Sequence, residues 1–541
     1  MARAARMIIL LLKLLLFAAI VAMAIGLVVR LLNPLPELEP RIPSRMLTNT
    51  EDTPIGRFAA RAASGHPGLS GVHLLPDPHD AFAARVALAR AATRSLDIQY
   101  YIWKNDISGR LMIGEMRAAA DRGVRVRMLL DDNGVAGLDP VLAALDGYPN
   151  IEVRLYNPFV LRSPKMIGYL ADFPRLNRRM HNKSFTADNQ ATLIGGRNIG
   201  DEYFAASDGD FFADLDVVAI GPAVAEVSGD FDRYWNSQSA YPAARILPVM
   251  SRQAGRAVLD GLKAGRNDMA VRRYQDAISN AEFQTALISG QLALEWAPVR
   301  MVSDDPAKTL GGAAKDELLA TRLAAIVGAP AARLSLVSGY FVPGAAGVDA
   351  FSRIRARGAE VRVVTNSFDS TDVWIVHAGY VRRREALLRA GIRLFEMRSG
   401  RDARDRERHR KVIGAGSGSG REGDTGQVLR ASASMLHAKT FTIDNDRVFI
   451  GSFNFDPRSF ALNTELGFVI ESRAIAALIQ TRLDTLVIKG AYEVVLDDRG
   501  RMSWIERRDD GEIRHDREPA TSGTQRAGIA ILSHLPIEWL L

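Results

Sequence analysis

Two stretches of this chain carry the same pattern of polar residues, and that repetition constrains the fold more than any other feature. Residues 181–198 read HNKSFTADNQATLIGGRN and residues 437–454 read HAKTFTIDNDRVFIGSFN. Counted from His181 and His437, Lys183 and Lys439 stand at +2, Phe-Thr at +4 and +5, and Asp188 and Asp444 at +7, each followed by Asn. Ile-Gly recur at +13 and +14, Asn198 and Asn454 at +17, and Phe204 and Phe460 at +23. Such agreement at fixed offsets points to two copies of one structural unit. Along a strand, residues i and i+2 share a face, so each histidine is expected to project together with its lysine. A reversal at Asp-Asn would return the chain along a second strand ending in Gly-x-x-Asn, where glycine admits close backbone approach and the amide offers a donor. Two such sets facing each other suit a phosphodiester, whose transition state spreads negative charge over its equatorial oxygens. Metal binding fits less well, because zinc wants neutral histidine beside carboxylate or thiolate, and a lysine next to each histidine repels a cation. Satisfied strand histidines in a tandem repeat would account for a lone histidine, but poorly for paired H-x-K-x4-D blocks. No metal and no cofactor is expected.

The flanking sequence repeats as well. Ser95–Trp103 alternates like a strand ending in aromatics, Ser108–Arg122 has helical spacing, and Val124–Leu130 is a second strand running into Asp131-Asp132-Asn133-Gly134. Leu334–Val342, a helix closing at Arg357-Gly358, and the strand Val361–Thr365 follow the same plan. These units predict an α/β fold of two similar halves, each a mixed sheet flanked by helices, with the active site at their interface. The expected divisions are an N-terminal anchor (1–30), a stem (31–72), a first half (73–240), an intervening helical region without visible chemistry (241–315), a second half (316–490) and a C-terminal extension (491–541). A charged and Gly/Ser-rich loop interrupts the second half at 401–428, and an apolar tail at 528–541 is expected to dock on the domain rather than touch the membrane interface. Asp131, Asp132 and the Asp208–Asp216 cluster read as turn caps and solvated loop acids, and His377 and Tyr380 as packing residues on a helix. Tyr101 and Tyr340-Phe341 end matched strands, where a cleft wall would lie, although core packing is the stronger expectation for such aromatics.

Arg3 and Arg6 precede an apolar run from Met7 to Val29 that only Lys13 interrupts. As a helix this run reaches roughly 35 Å, enough to span a bilayer. Arginines before the run favour a cytoplasmic N-terminus, which puts the rest of the chain outside the cytoplasm of a bacterial inner membrane. The rival is a signal peptide cleaved near Ala22-Met23-Ala24, leaving a secreted or periplasmic protein. The absence of cysteine excludes thiolate catalysis and disulfides and is compatible with an oxidising compartment. A net charge of +7 favours anionic partners.

The paired blocks resemble the phospholipase D superfamily, and the resemblance runs from about Asp77 to Glu471. More narrowly, LDIQYYIW, RGVRVRMLLDDN, GGRNIGDEYF, SDDPAK, GSFNFDPRS and PIEWLL are similar to the cardiolipin synthase C branch of bacterial enzymes. The resemblance implies that His181 is the nucleophile of a phosphohistidine intermediate and His437 the general acid and base. It further implies that Lys183, Lys439, Asn198 and Asn454 bind phosphate, and that Asp188 and Asp444 are structural. Glu465 stands at the family's position for an acid that orients a histidine. Aligning ELGFVI with DLDVVA makes Asp214 its counterpart, with Asp216 as the alternative. The near symmetry of the halves leaves open which histidine attacks. The implied reaction forms cardiolipin from phosphatidylglycerol and a second membrane phospholipid such as phosphatidylethanolamine. Rivals are a hydrolytic phospholipase D releasing phosphatidic acid, a nuclease, and a catalytically dead lipid-binding scaffold. The membrane segment and the lack of an aromatic–basic module argue against nucleic acid, and the intact His, Lys and Asn sets argue against a dead scaffold.

Overall fold

The computed structural model describes residues 2–207, 211–262, 269–371, 373–399, 435–508 and 511–535. The expected loop at 401–428, Asp208 and the last residues of the apolar tail, including Trp539, lie outside them.

Each half is built on one mixed sheet. In the first, Ser95–Ile102, Arg125–Gly134 and Ile151–Tyr156 run parallel. Beyond Ser95–Ile102 the sheet continues antiparallel through Ser184–Ala187, Ala191–Gly195, Asp216–Ile220 and Ser70–Leu75. In the second, Arg333–Ser338, Glu360–Asn366 and Arg393–Met397 are the parallel set. Lys439–Ile443, Arg447–Gly451, Leu466–Glu471 and Val299–Ser303 continue it antiparallel. The strand order is the same in both sheets, as the repeated sequence predicts. Only Pro298 separates Glu295–Ala297, an edge strand of the first sheet, from Val299–Ser303 of the second. Beyond the repeat, Ala491–Leu496, Met502–Arg508 and Gly511–His515 widen the second sheet, so much of the C-terminal extension is sheet.

Local chemistry fixes the helices that flank these strands. Asp77 caps Pro78–Ala91 by accepting from the backbone of His79 and Asp80, and Asp106 caps Ile107–Asp121 through Gly109. The matched helices Ile107–Asp121 and Gly344–Ala356 both run out into glycines at positive φ, 89° at Gly123 and 96° at Gly358. Val72, Ile194 and Val217 of the first sheet share one buried cluster with Val448, Ile450 and Phe468 of the second. Burying a side chain of this size is worth about 1.5–3 kcal/mol, against about 0–1 kcal/mol for an exposed ion pair. This apolar seam therefore dominates the joining of the halves.

Ala2–Leu32 forms one helix whose Leu14, Phe17, Ile20, Met23 and Leu27 are exposed. Counting described side chains only, no helix is long and apolar enough to cross a membrane. Residues 31–72, expected as a stem, are docked on the first half from Arg41 onward. Arg41 donates to the carbonyls of Asn236, Ser237 and Ala240, while Arg127 and Arg154 donate to those of Ser44 and Ile42. The Pro- and Arg-rich composition suggests a linker, but Arg41 from within it, and Arg127 and Arg154 from the first half, satisfy backbone carbonyls across the contact. At the other end, Gly523–His534 packs Ile529 against Phe368 and Ala378. His377 and Tyr380 lie in the same region, buried in a charged network with Arg384, Glu396 and Glu518.

Candidate active site

The backbone of each half pins the histidine of the other. His181 donates its N–H to the carbonyl of Thr464 at 2.9 Å, and Thr464 returns its own to Arg179 at 2.9 Å. His437 donates to the carbonyl of Ala213 at 2.9 Å, beside a short parallel pairing of Met435–Leu436 with Phe212–Ala213. Thr464 and Ala213 each stand one residue before an acid, so this register carries Glu465 and Asp214 to the opposite half's imidazole. His181 Nδ1 lies 2.8 Å from Glu465 Oε2, and His437 Nδ1 lies 2.5 Å from Asp214 Oδ2. Asp216, the alternative to Asp214, is instead paired with Arg85 at 2.9 Å in the core. The pairing is thus crossed between the halves, a feature that neither motif announces in sequence. His181 precedes its strand, and His437 precedes the strand that Lys439 begins. Both histidines therefore sit at strand mouths, His181 three residues and His437 two residues before the strand on which each was expected.

Burial and charge together set the protonation of this cluster. Burial drives both imidazoles down, His181 to about 4 and His437 to about 3, and the lysine of each histidine's own motif adds to the effect. Burial works the other way on Glu465 and Asp214. Even so, His181, Lys183 and the Ser452 hydroxyl hold Glu465 below the ordinary carboxylate range, and His437, Lys439 and Arg197 do the same for Asp214. An ionised carboxylate only accepts hydrogen bonds, so the imidazole proton belongs on Nδ1 and leaves an Nε2 lone pair. Lys183, which donates to the carbonyl of His181 at 2.6 Å, is lowered by burial to about 7. Lys439 acts on Lys183 and His181 through its charge, and Lys183 acts likewise on His437, so the two motifs share one electrostatic environment.

Other predicted residues have more specific partners. Asn198 accepts from the Ile102 N–H at 3.1 Å and donates to the Tyr203 hydroxyl at 2.9 Å. The Asn454 carbonyl oxygen is buried and finds no donor among the described residues. Asp188 collects the backbone N–H groups of Thr93, Arg94 and Ser95, and Asp444 those of Ala331, Ala332 and Arg333. Both stand at the far ends of their strands from the histidines. Asp131 and Asp132 are not solvated loop acids: Asp131 is buried against Arg179 at 2.5 Å, and Asp132 against Arg162 and Lys165. The run DDNG looks like an exposed turn, but the cations that bury it come from residues 162–179, too distant in sequence to be foreseen.

Tyr101 meets the His181 ring at 5.0 Å, and Tyr340 lies 6.4 Å from that of His437. Phe341 packs into the core against Phe351. Tyr203 and Phe212 also crowd His437, at 5.3 and 4.9 Å, and periodicity gives no sign of either. Glu465 has a supporting shell that sequence reasoning missed. Ser459 donates to it at 2.8 Å, the Ser452 hydroxyl donates to it as well, and Asp304 accepts its backbone N–H at 2.9 Å. Asp304 belongs to the region that looked devoid of chemistry, and the SDDPAK string was its only trace. Among the described residues, no three His, Asp or Glu side chains cluster as a cation site would require.

Residues 86–235 and 324–487 match the family described as cardiolipin synthase, PLD-like domain. The chain is 47% identical over 479 residues to cardiolipin synthase C of Escherichia coli strain K12, spanning 88% of this chain and 98% of that protein. It is 24% identical over 416 residues to a cardiolipin synthase of Staphylococcus aureus strain Mu50, spanning 76% of this chain and 66% of that protein. Among solved structures, the phosphatidylserine synthase of Haemophilus influenzae Rd KW20 superposes with a TM-score of 0.51 at 13% identity. That superposition covers 81% of this chain and 92% of the other, and is a likeness of fold.

Proposed function

Because this chain belongs to the cardiolipin synthase family of phospholipase D-like proteins, we propose that it is a phosphatidyltransferase that makes cardiolipin through a covalent phosphatidyl-histidine. The observation that carries this reading is the crossed pairing of His181 with Glu465 and of His437 with Asp214. Each acid holds an imidazole proton at Nδ1, so His181 can present its Nε2 lone pair to phosphorus. Attack forms the P–N bond and breaks the P–O bond to the head-group alcohol, ethanolamine when phosphatidylethanolamine is the donor. His437 supplies the proton that the leaving oxygen takes. Neutral His437 then removes the proton of a phosphatidylglycerol head-group hydroxyl, whose oxygen attacks phosphorus and expels His181. His437 is held neutral by burial first and by the lysines second. A bound phosphodiester offsets their charge and raises its basicity when an acid is needed. Lys183 and Lys439 neutralise the equatorial oxygens, and on this reading the chemistry requires no metal.

The substrate is membrane lipid, and the N-terminal helix is read here as its tether. Arg3 and Arg6 would stay on the cytoplasmic side, with the two halves (73–240 and 316–490) held outside. At the bilayer an acceptor lipid reaches a far higher effective concentration than a dilute solute, which favours transfer over hydrolysis. The test is product analysis on vesicles of phosphatidylglycerol and phosphatidylethanolamine. Cardiolipin should exceed phosphatidic acid. Phosphatidic acid with free head-group alcohol and no cardiolipin would make the protein a hydrolytic phospholipase D.

A further inference from the structure

The helical segment Ile167–Leu176, broken at Asp172, turns an apolar face outward. Met166 is 71% exposed, Leu170 58%, and Ile167 and Phe173 38% each. Four large apolar side chains on one short segment are an unusual outer surface for a protein facing water alone. The inner face is fixed, with Leu176 and Gly168 buried, and a side chain at 168 would collide with Phe159.

Two contacts say what lies outside. The first is with the N-terminal helix. A Cβ at Gly26 would stand 2.2 Å from the carbonyl oxygen of Leu170, so the glycine lets the two backbones touch. Gly26 lies six residues before Leu32, about 9 Å of helical rise from the end of that helix. Interfacial helices bury their apolar faces to a depth of about 5–10 Å. A groove of about 310 Å³ opens at the same junction, lined in part by Val29, Leu31, Leu35, Val160 and Leu161. The second contact leads to the cleft. Tyr169 donates to Asn133 Oδ1 at 3.1 Å, Asn133 reaches the Tyr101 hydroxyl at 3.5 Å, and Tyr101 lies against His181.

We propose that Met166–Phe173 is an interfacial element whose Met166, Ile167, Leu170 and Phe173 enter the outer leaflet beside the N-terminal helix, holding the His181 side of the cleft against the lipid surface. The proposal rests on the anchor reading above and adds to it the edge of the cleft that meets the membrane. Its occupant is the acyl region of a bilayer, because the apolar face is continuous with that of the anchor and lies at interfacial depth along it.

The chain has no cysteine, so a single introduced thiol can be labelled with a polarity-sensitive fluorophore without removing any other. Full-length Leu170→Cys, Leu16→Cys and Val249→Cys are labelled in vesicles of phosphatidylglycerol and phosphatidylethanolamine containing an acyl-chain nitroxide lipid. Leu16 represents the anchor, and Val249, 92% exposed, represents the aqueous face. The nitroxide should quench Leu170 and Leu16, and aqueous iodide should reach only Val249. Leu16 quenched with Leu170 open to iodide overturns this proposal alone. Leu170 shielded from both quenchers overturns it in favour of a protein partner or a second copy. Leu16 in water removes the anchor and the proposal together. This arm needs no catalysis, so a failure of the proposed reaction would not be mistaken for a failure here. In a second arm, Leu170→Glu with Phe173→Glu should lower turnover on vesicles by about tenfold and leave that on a soluble short-chain diester within about twofold. Equal effects on the two substrates overturn the proposal.

Discussion

His181 and His437 have near-identical neighbours in sequence but different company in space. The acid beside His181 is held by two serine hydroxyls. That beside His437 accepts from the backbone of Leu215 and feels the Lys439 ammonium, which also lies 2.9 Å from His437 Nδ1. The difference begins at one position of the motif, where Ser452 of the second half corresponds to Gly196 of the first. A side chain at 196 would strike the Asp214 carboxylate, at 2.1 Å from its Oδ1. Spacing alone singled out the histidines, lysines and asparagines as candidates. The crossed pairing was not legible, because nothing in a single motif records which half supplies the acid. Lys183 gives this scale its pH test. It is charged below about 7 and loses that charge as pH rises through it, while His181 stays neutral down to about 4. kcat/KM, which reports the free enzyme, should therefore fall on the basic side from about pH 7. The basic limb of kcat should lie higher, since a bound phosphodiester keeps Lys183 protonated, and Lys183→Arg should move the kcat/KM limb upward. A kcat/KM that stays flat from pH 6 to 9 on a soluble diester would contradict the assignment.

At the scale of elements, each motif is a hairpin whose turn does structural work. Asp188 and Asn189 both have φ of 52°, and Asp444 and Asn445 have 50° and 60°, left-handed conformations that Asp and Asn tolerate better than most residues. Each aspartate then ties the turn to the start of the neighbouring antiparallel strand, Ser95–Ile102 or Arg333–Ser338, through three backbone N–H groups. This explains why the motif aspartate recurs at +7 although it never reaches the histidine. Asp188 is fully buried, whereas the side chain of Asp444 keeps some exposure. Asp188→Ala leaves donors without water, a cost of about 1–3 kcal/mol, and Asp444→Ala should cost less because water can replace the carboxylate. Thermal unfolding of the two variants checks the order, with turnover at low temperature near wild type for both. Equal midpoints, or an unshifted Asp188→Ala, would contradict it. Strand–helix–strand units were readable from periodicity because their apolar faces repeat. The docking of residues 41–72 was not, since it depends on Arg41 meeting carbonyls of residues 236–240, and on Arg127 and Arg154 meeting those of Ser44 and Ile42, which no local pattern connects.

At the scale of the whole molecule, two sheets sharing an apolar seam bring together two half-sites that are each incomplete, which accounts for the duplication. The tether reading adds an orientation to that arrangement. A reporter active only after export, fused after residue 60, should be active, and a cytoplasmic reporter active there would reverse the topology. Removal of residues 1–30 should slow turnover on vesicles far more than on a soluble diester, and should shift products from cardiolipin toward phosphatidic acid as the local excess of acceptor lipid is lost. All of this rests on a lipid phosphoryl group carried covalently by one histidine while the other moves protons. The most direct test uses His437→Asn with a phosphatidyl ester of a good leaving group, in EDTA, followed by a basic quench and peptide mapping by mass spectrometry. An adduct should accumulate on His181, its phosphorus–nitrogen bond acid-labile and base-stable, because its second step lacks a base. No adduct, or an adduct on a residue other than a histidine of the two motifs, would contradict the covalent mechanism.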